Sequence, residues 1–284
     1  MVKVFFLFFF SFAFILNAET SVVEGVTSDD VLTEKIKSFL DKETYKNNSQ
    51  FIDVIFDPKS NFYVNDRVDS VKVIETLKEN GLLKLFFKKP MEFKLNFKTS
   101  GYPLFFVKIM GDTLRKIGYY RYVTTASNLD VSEFTWNIVL NSEYATDPLV
   151  LQRILNKSGC SIVDVERNSA QEWTYIIDIS RGYLNIEQLE DMQDISLKRS
   201  LYAYWLDVSK IRLLTIKSSR RNRWYPEILF YDTSLHLLKV IKEDQVRRRI
   251  TLHIPQNAKY MKISDLYTLK NVKDELRLYP SGSK

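Results

Sequence analysis

Asp147-Pro-Leu-Val-Leu-Gln-Arg-Ile-Leu-Asn-Lys-Ser-Gly159-Cys-Ser-Ile-Val-Asp-Val165 spells a helix, its stop and a strand in nineteen residues. Asp147 and Pro148 read as an N-cap and a first-turn proline. Leu149, Leu151, Leu155 and Ile154 supply an apolar stripe. Lys157 meets the negative end of the helix dipole, and Gly159 takes the left-handed turn that other residues resist. Cys160–Val165 then begins a strand, a short polar link follows, and Glu172–Ser180 reads as a second strand.

The same spelling occurs twice upstream. Leu77-Lys-Glu-Asn-Gly81 ends a helical pattern over Asp69–Asn80, and Leu114-Arg-Lys-Ile-Gly118 ends one over Pro103–Ile117. Leu82–Phe87 and Met91–Lys98 follow the first glycine; Tyr119–Thr125 and Val131–Asn141 follow the second. Alternation in Phe93, Leu95 and Phe97, and in Phe134, Trp136, Ile138 and Leu140, is that of a half-buried antiparallel sheet. With an opening strand at Phe51–Phe56, residues 49–180 are expected to form tandem helix–strand–strand modules. Residues 19–48 are polar, with one short helix at Asp30–Leu40.

Beyond the modules, Asn185–Ile195 is expected to be a linker helix within residues 181–200. That helix would carry Glu187, Glu190, Asp191 and Asp194 on one face, either solvated or against a basic partner. From Leu201 the texture becomes short strands and polar turns: Leu201–Val208, Ile211–Lys217, Glu227–Tyr231, Leu235–Ile241, Val246–Ile254, Lys259–Ile263 and Glu275–Leu278. Their density predicts a β-sandwich-like domain over residues 201–284. The fold class is therefore α+β.

The 284 residues are 45% apolar and 27% charged, which excludes a collagen-like or largely disordered chain. One cysteine and two histidines leave little for a disulfide framework or a Cys/His zinc site. Lys3 followed by the apolar run Val4–Leu16 and the sequence Leu16-Asn17-Ala18 predicts a signal peptide over residues 1–18, cleaved after Ala18. The run is shorter than the roughly 20 residues of a membrane span, so the mature chain is expected in the periplasm without a transmembrane span. Charge is divided. Residues 19–180 carry 20 basic and 23 acidic side chains, whereas residues 181–284 carry 20 and 12. A basic half would suit nucleic acid, but an exported protein meets anionic envelope polymers or acidic protein faces instead.

The chain lacks phosphate-binding loops, nucleophile elbows and His-Glu-x-x-His. His236 and His253 fall in expected strands, and Cys160 follows a helix C-terminus, the wrong electrostatic end for lowering a thiol pKa. No cofactor or catalytic residue is assigned. The candidate partner-binding residues are instead Arg220, Arg221 and Arg223 in one turn, and Arg247 and Arg249 on one face of a strand. Adjacent guanidinium groups bind carboxylate or phosphate bidentately, although a charged strand also discourages edge-to-edge pairing. Trp224, beside Arg223, is a candidate exposed aromatic, and with Trp205 and Tyr225 offers a sugar-stacking alternative.

The phenylalanine-rich leader, the lysine-rich modules and the tail Lys259-Tyr-Met-Lys-Ile-Ser-Asp-Leu266 to Arg277-Leu-Tyr-Pro280 together resemble envelope proteins of campylobacter-type bacteria, specifically the FlgQ-like flagellar basal-disk family. The resemblance is one of whole-chain architecture, without a diagnostic short motif. It implies an outer-membrane-associated scaffold needed for motility, partnered by the FlgP lipoprotein disk and acting as a homo- or hetero-oligomer. The residues themselves leave three readings open: an assembly protein, a binding module for anionic glycan or peptidoglycan, and an unrecognised hydrolase.

Overall fold

The computed structural model describes residues 28–284; the expected leader and its cleavage point lie outside the described residues. Three helices open the fold: α1 (Ser28–Phe39), α2 (Lys42–Asn47) and α3 (Ser49–Ile55). The expected strand at Phe51–Phe56 is thus mostly helix. Ile52 and Phe56, four apart, form the buried face, while Phe51 and Val54 point outward. A four-residue apolar spacing closes a helical stripe without needing a partner strand.

A small hairpin follows, β1 (Tyr63–Val64) and β2 (Arg67–Val68), turning through Asn65 and Asp66, both at positive φ. Then come α4 (Ser70–Glu79), β3 (Phe86–Thr99), α5 (Pro103–Lys116), β4 (Val123–Leu129), β5 (Phe134–Tyr144), α6 (Pro148–Asn156), β6 (Ser161–Arg167) and β7 (Glu172–Asp178). The helix ends are those read from the sequence. Asp69 and Asp147 accept hydrogen bonds from the N–H groups of Lys72 and Leu149, and Gly81, Gly118 and Gly159 all have positive φ.

The modules are not separate bodies. Their strands form one sheet in the order β4-β5-β3-β7-β6, with β3 and β7 parallel and the other neighbours antiparallel. The first unit supplies a single strand. Lys88-Lys89-Pro90 is an irregularity within β3, where the register steps from Phe86↔Tyr144 to Met91↔Ser142. One face of the sheet buries Phe93, Leu95, Phe97, Trp136, Ile138, Trp173 and Tyr175 in a common core with Leu77, Phe106, Leu114, Leu151 and Leu155 of the helices. A sheet with one apolar face needs that helical cover, and no single unit could supply it.

Residues 181–200 contain no helix. They hold β8 (Glu187–Gln188) and β9 (Ile195–Leu197), joined through a turn at Asp191 and Met192, the latter at positive φ. Leu189 and Leu197 are drawn into the second core, and Leu189 N–H donates to Asp207 O at 2.8 Å. Backbone pairing with distant strands thus displaces the local helical pattern. The remaining strands are β10 (Tyr204–Asp207), β11 (Ile211–Ser218), β12 (Pro226–Tyr231), β13 (Leu237–Lys242), β14 (Arg249–His253), β15 (Tyr260–Asp265) and β16 (Leu276–Ser283). They pair as β13-β12-β15-β10-β8 and β14-β11-β16-β9. Leu206, Ile228, Phe230 and Ile263 of the first sheet meet Leu214, Ile216, Leu252 and Leu278 of the second in one core. The whole is a mixed α+β fold, mostly β.

The two halves are joined by contact. Leu235 and Tyr260 of the second half lie in the core of the first. Trp205 stacks on Tyr231 at 5.3 Å, and the Lys108 ammonium sits 4.9 Å from the Trp205 ring centre.

Candidate functional site

Strand β11 organises a basic face. Its Lys217 pairs in register with Arg249 of β14 on one side and Arg277 of β16 on the other. Side chains alternate along a strand, so these three exposed cations project from the same face, away from the core. The next row inward holds Thr215, Thr251 and Tyr279; the two threonine hydroxyls are 3.0 Å apart. The Lys217 ammonium lies 4.4 Å from the centre of the Tyr279 ring, a cation–π contact that leaves its charge exposed.

Beyond Ser218 the chain turns, carrying Arg220, Arg221 and Arg223 on its exposed side. The turn is rigid because its other side is hydrogen-bonded. The buried Asn222 donates to Ser218 Oγ at 3.2 Å and to Glu275 O at 3.0 Å, and accepts from Asp274 N–H at 2.8 Å. Arg248 donates to Ser219 O and Asn222 O, both at 2.7 Å, so this guanidinium acts as a clamp across the turn.

Trp224 differs from expectation. It is fully buried and donates from Nε1 to Ser264 O at 2.8 Å, so it offers no exposed ring for a sugar. Alternation explains this: exposed Arg223 and buried Trp224 point to opposite sides of one extended segment. Arg247 also departs from expectation, because β14 begins only at Arg249. Its N–H donates to Trp224 O at 3.0 Å, and its guanidinium grips Glu243 at 2.6 and 3.0 Å. Arg247 is therefore locally neutralised.

Acidic groups near the basic face are also engaged. Ser219's hydroxyl, with Arg221 and Arg277 nearby, holds the Asp274 carboxyl below its usual range, and Ser196 and then Arg277 do the same for Glu275. Among the described residues, Lys217, Arg220, Arg221, Arg223 and Arg249 have no carboxylate within ion-pair distance. This cluster joins four of the sequence candidates with Lys217, which sequence reading missed. Its position opposite Arg249 becomes visible only once β11 and β14 are paired.

The four acidic candidates do not share a face, since the helix that would have aligned them is absent. Glu187 lies in β8. Glu190 pairs with Lys210 at 2.6 Å. Asp191 accepts from Gly282 N–H and Ser283 Oγ, both at 2.9 Å, fastening the end of β16. Asp194 is exposed in the following loop.

His236 lies in the turn before β13 rather than in a strand. Its Nδ1 is 2.8 Å from Asp232 Oδ2, and its ring packs edge-on to Tyr102. Cys160 is buried, and burial pushes its thiol up to about 12. Among the described residues, no group of three or more His, Cys, Asp and Glu side chains is placed to hold a metal ion. No helix among them is long and apolar enough to cross a membrane. Neither a protein-family model nor a curated protein matches the chain.

Proposed function

We propose that this chain is a non-catalytic assembly protein of the cell envelope, which docks through the basic face of its C-terminal sheet onto an acidic protein surface. One observation carries the reading: five exposed cations without ion-pair partners stand on a hydrogen-bonded, rigid framework, while nearby carboxylates are tied into that framework. Such a surface attracts a complementary one and accelerates encounter, with a strength that falls as salt rises. Export to the periplasm rests on the leader Val4–Leu16. The resemblance to basal-disk proteins extends the proposal to a scaffold of the flagellar motor, with FlgP as the partner to test first.

The experiment is affinity capture from detergent-solubilised envelopes with the protein and with Lys217→Glu/Arg249→Glu. The charge reversals should leave the circular-dichroism melt unchanged and abolish recovery of the envelope partner. Equal recovery by both proteins would overturn the proposal. The glycan reading loses its aromatic platform with Trp224 buried; co-sedimentation with purified cell wall that is removed by the same reversals would revive it.

A further inference from the structure

Strands β3 and β7 run parallel, and their carboxyl ends, at Thr99 and Asp178, open on a cavity of about 530 Å3. Connecting segments diverge at the carboxyl ends of parallel strands, which leaves room there for a ligand. The volume lies within the roughly 300–1,000 Å3 of small-molecule sites and exceeds what a bare ion fills. None of the sequence candidates lines it.

Two arginines of the cavity, Arg67 and Arg181, are held in place but not ion-paired. The bulge of β6 between Ile162 and Asp164 takes Val163 out of the ladder with β7, and Arg67 Nη1 donates to the freed Val163 O. Arg181 is pinned through its backbone neighbours. Gly182 N–H donates to Ile179 O at 2.8 Å, Tyr183 N–H donates to Ser158 O at 2.9 Å, and Gly159 leaves the space that Arg181 O approaches. Among the described residues, neither guanidinium has a carboxylate within ion-pair distance. The carboxylates of the cavity are engaged otherwise. Asp178 accepts from Ser180 N–H at 2.8 Å and Ser180 Oγ at 3.1 Å, and Glu133 pairs with Lys98 at 3.4 Å. The hydroxyls of Ser100, Ser132 and Ser161 also line the cavity without a hydrogen-bond partner among the described residues. The uncommitted groups are thus two cations and three hydroxyl donors. They come from β2, the segment after β3, the segment before β5, the start of β6 and the turn after β7. Donors spread over five segments suit a tetrahedral oxyanion better than a planar carboxylate, which one guanidinium fork can satisfy. Half-buried Val163 and Ile176 add an apolar wall.

We infer that this cavity binds a phosphorylated small molecule. Arg67 and Arg181 hold the phosphate, Ser100, Ser132 and Ser161 donate to its remaining oxygens, and Val163 and Ile176 face the organic part. Two guanidinium groups match the charge of about −1.5 to −2 that a phosphate monoester carries at neutral pH. Because Arg67 and the Arg181 backbone are already fixed, little ordering is left to offset the binding. The site is built on elements other than the basic face of β11, β14 and β16, so it does not depend on what that face binds.

The test is isothermal titration calorimetry of the full chain with phenyl phosphate, compared with inorganic phosphate and benzoate. The expected result is one-to-one binding of phenyl phosphate, tighter than that of either comparison compound. Arg181→Gln alters an exposed side chain and keeps the backbone contacts, so the fold survives. It should raise the dissociation constant at least about tenfold, roughly 1.4 kcal/mol. Lys217→Glu/Arg249→Glu should leave the constant unchanged, which separates this cavity from general attraction of anions to the basic face. The capture experiment reads those reversals by a different partner, so either proposal can fail alone. No saturable binding up to about 1 mM phenyl phosphate would overturn the inference. So would benzoate binding as tightly, inorganic phosphate binding as tightly, or a constant indifferent to Arg181→Gln.

Discussion

The backbone N–H of Leu184 donates to the phenol oxygen of Tyr260 at 3.1 Å, and the bond crosses from the end of the first sheet's unit into the second. Both residues are buried, and burial lifts the Tyr260 phenol above its ordinary pKa. Around this bond, Leu235, Trp205 and Tyr231 complete the contact between the halves.

Tyr260→Phe would leave the Leu184 N–H buried without an acceptor. The expected cost is about 1–3 kcal/mol, because an orphaned donor loses its hydration without compensation. Urea unfolding followed by fluorescence should show a lower midpoint. An unchanged midpoint would mean that water replaces the phenol.

Cys160 should be inert in the folded protein. With its thiol pushed up to about 12 by burial first and by Asp178 second, almost no thiolate exists at neutral pH. A thiol-specific disulfide reagent should react with one equivalent only after denaturant is added. Rapid reaction of the native protein would contradict the burial.

Acid should weaken the second half through Asp207. Burial alone would raise this carboxyl, but hydrogen bonds from Lys259 and Ser209 hold it below its ordinary value. The folded state thus favours the ionised form. Its stabilisation is complete above the unfolded value and is lost as pH falls through the folded one. Lys259 lies 2.7 Å from Asp207, so Asp207→Asn should cost about 1–2 kcal/mol at neutral pH. It should also flatten the acid limb of the stability curve below about pH 4. A parallel acid limb in the variant would remove Asp207 as its source.

Gly159→Ala and Gly81→Ala should separate conformational strain from steric strain. Both glycines have positive φ, which costs an alanine about 1 kcal/mol. A Cβ at Gly81 meets nothing within 4 Å, whereas at Gly159 it would lie 2.4 Å from Arg181 O. Gly81→Ala should lower stability by about 1 kcal/mol, and Gly159→Ala by more than about 2. Equal losses in thermal unfolding would show that the backbone near Arg181 yields.

Helix ends and sheet faces of the first half could be read from the chain because their causes are local. Asp69 and Asp147 cap the residues immediately after them, Gly81, Gly118 and Gly159 stop helices within one turn, and Phe93, Leu95 and Phe97 alternate regardless of which strand lies beside them. The basic turn at Arg220–Arg223 was visible for the same reason.

Partners far along the chain decided the rest. Residues 187–195 have helical spacing of carboxylates, yet pairing of the two ends with β10 and β16, across a turn at Met192, keeps them out of a helix. Trp224 sits among arginines, yet Ser264, forty residues later, accepts its indole N–H and keeps it inside. Lys217, Arg249 and Arg277 become one surface only through the register of three strands. Local propensity acts over a few residues and contributes tenths of a kcal/mol at each. Burial against distant strands contributes several times that per side chain, so it overrules the local pattern wherever the two conflict.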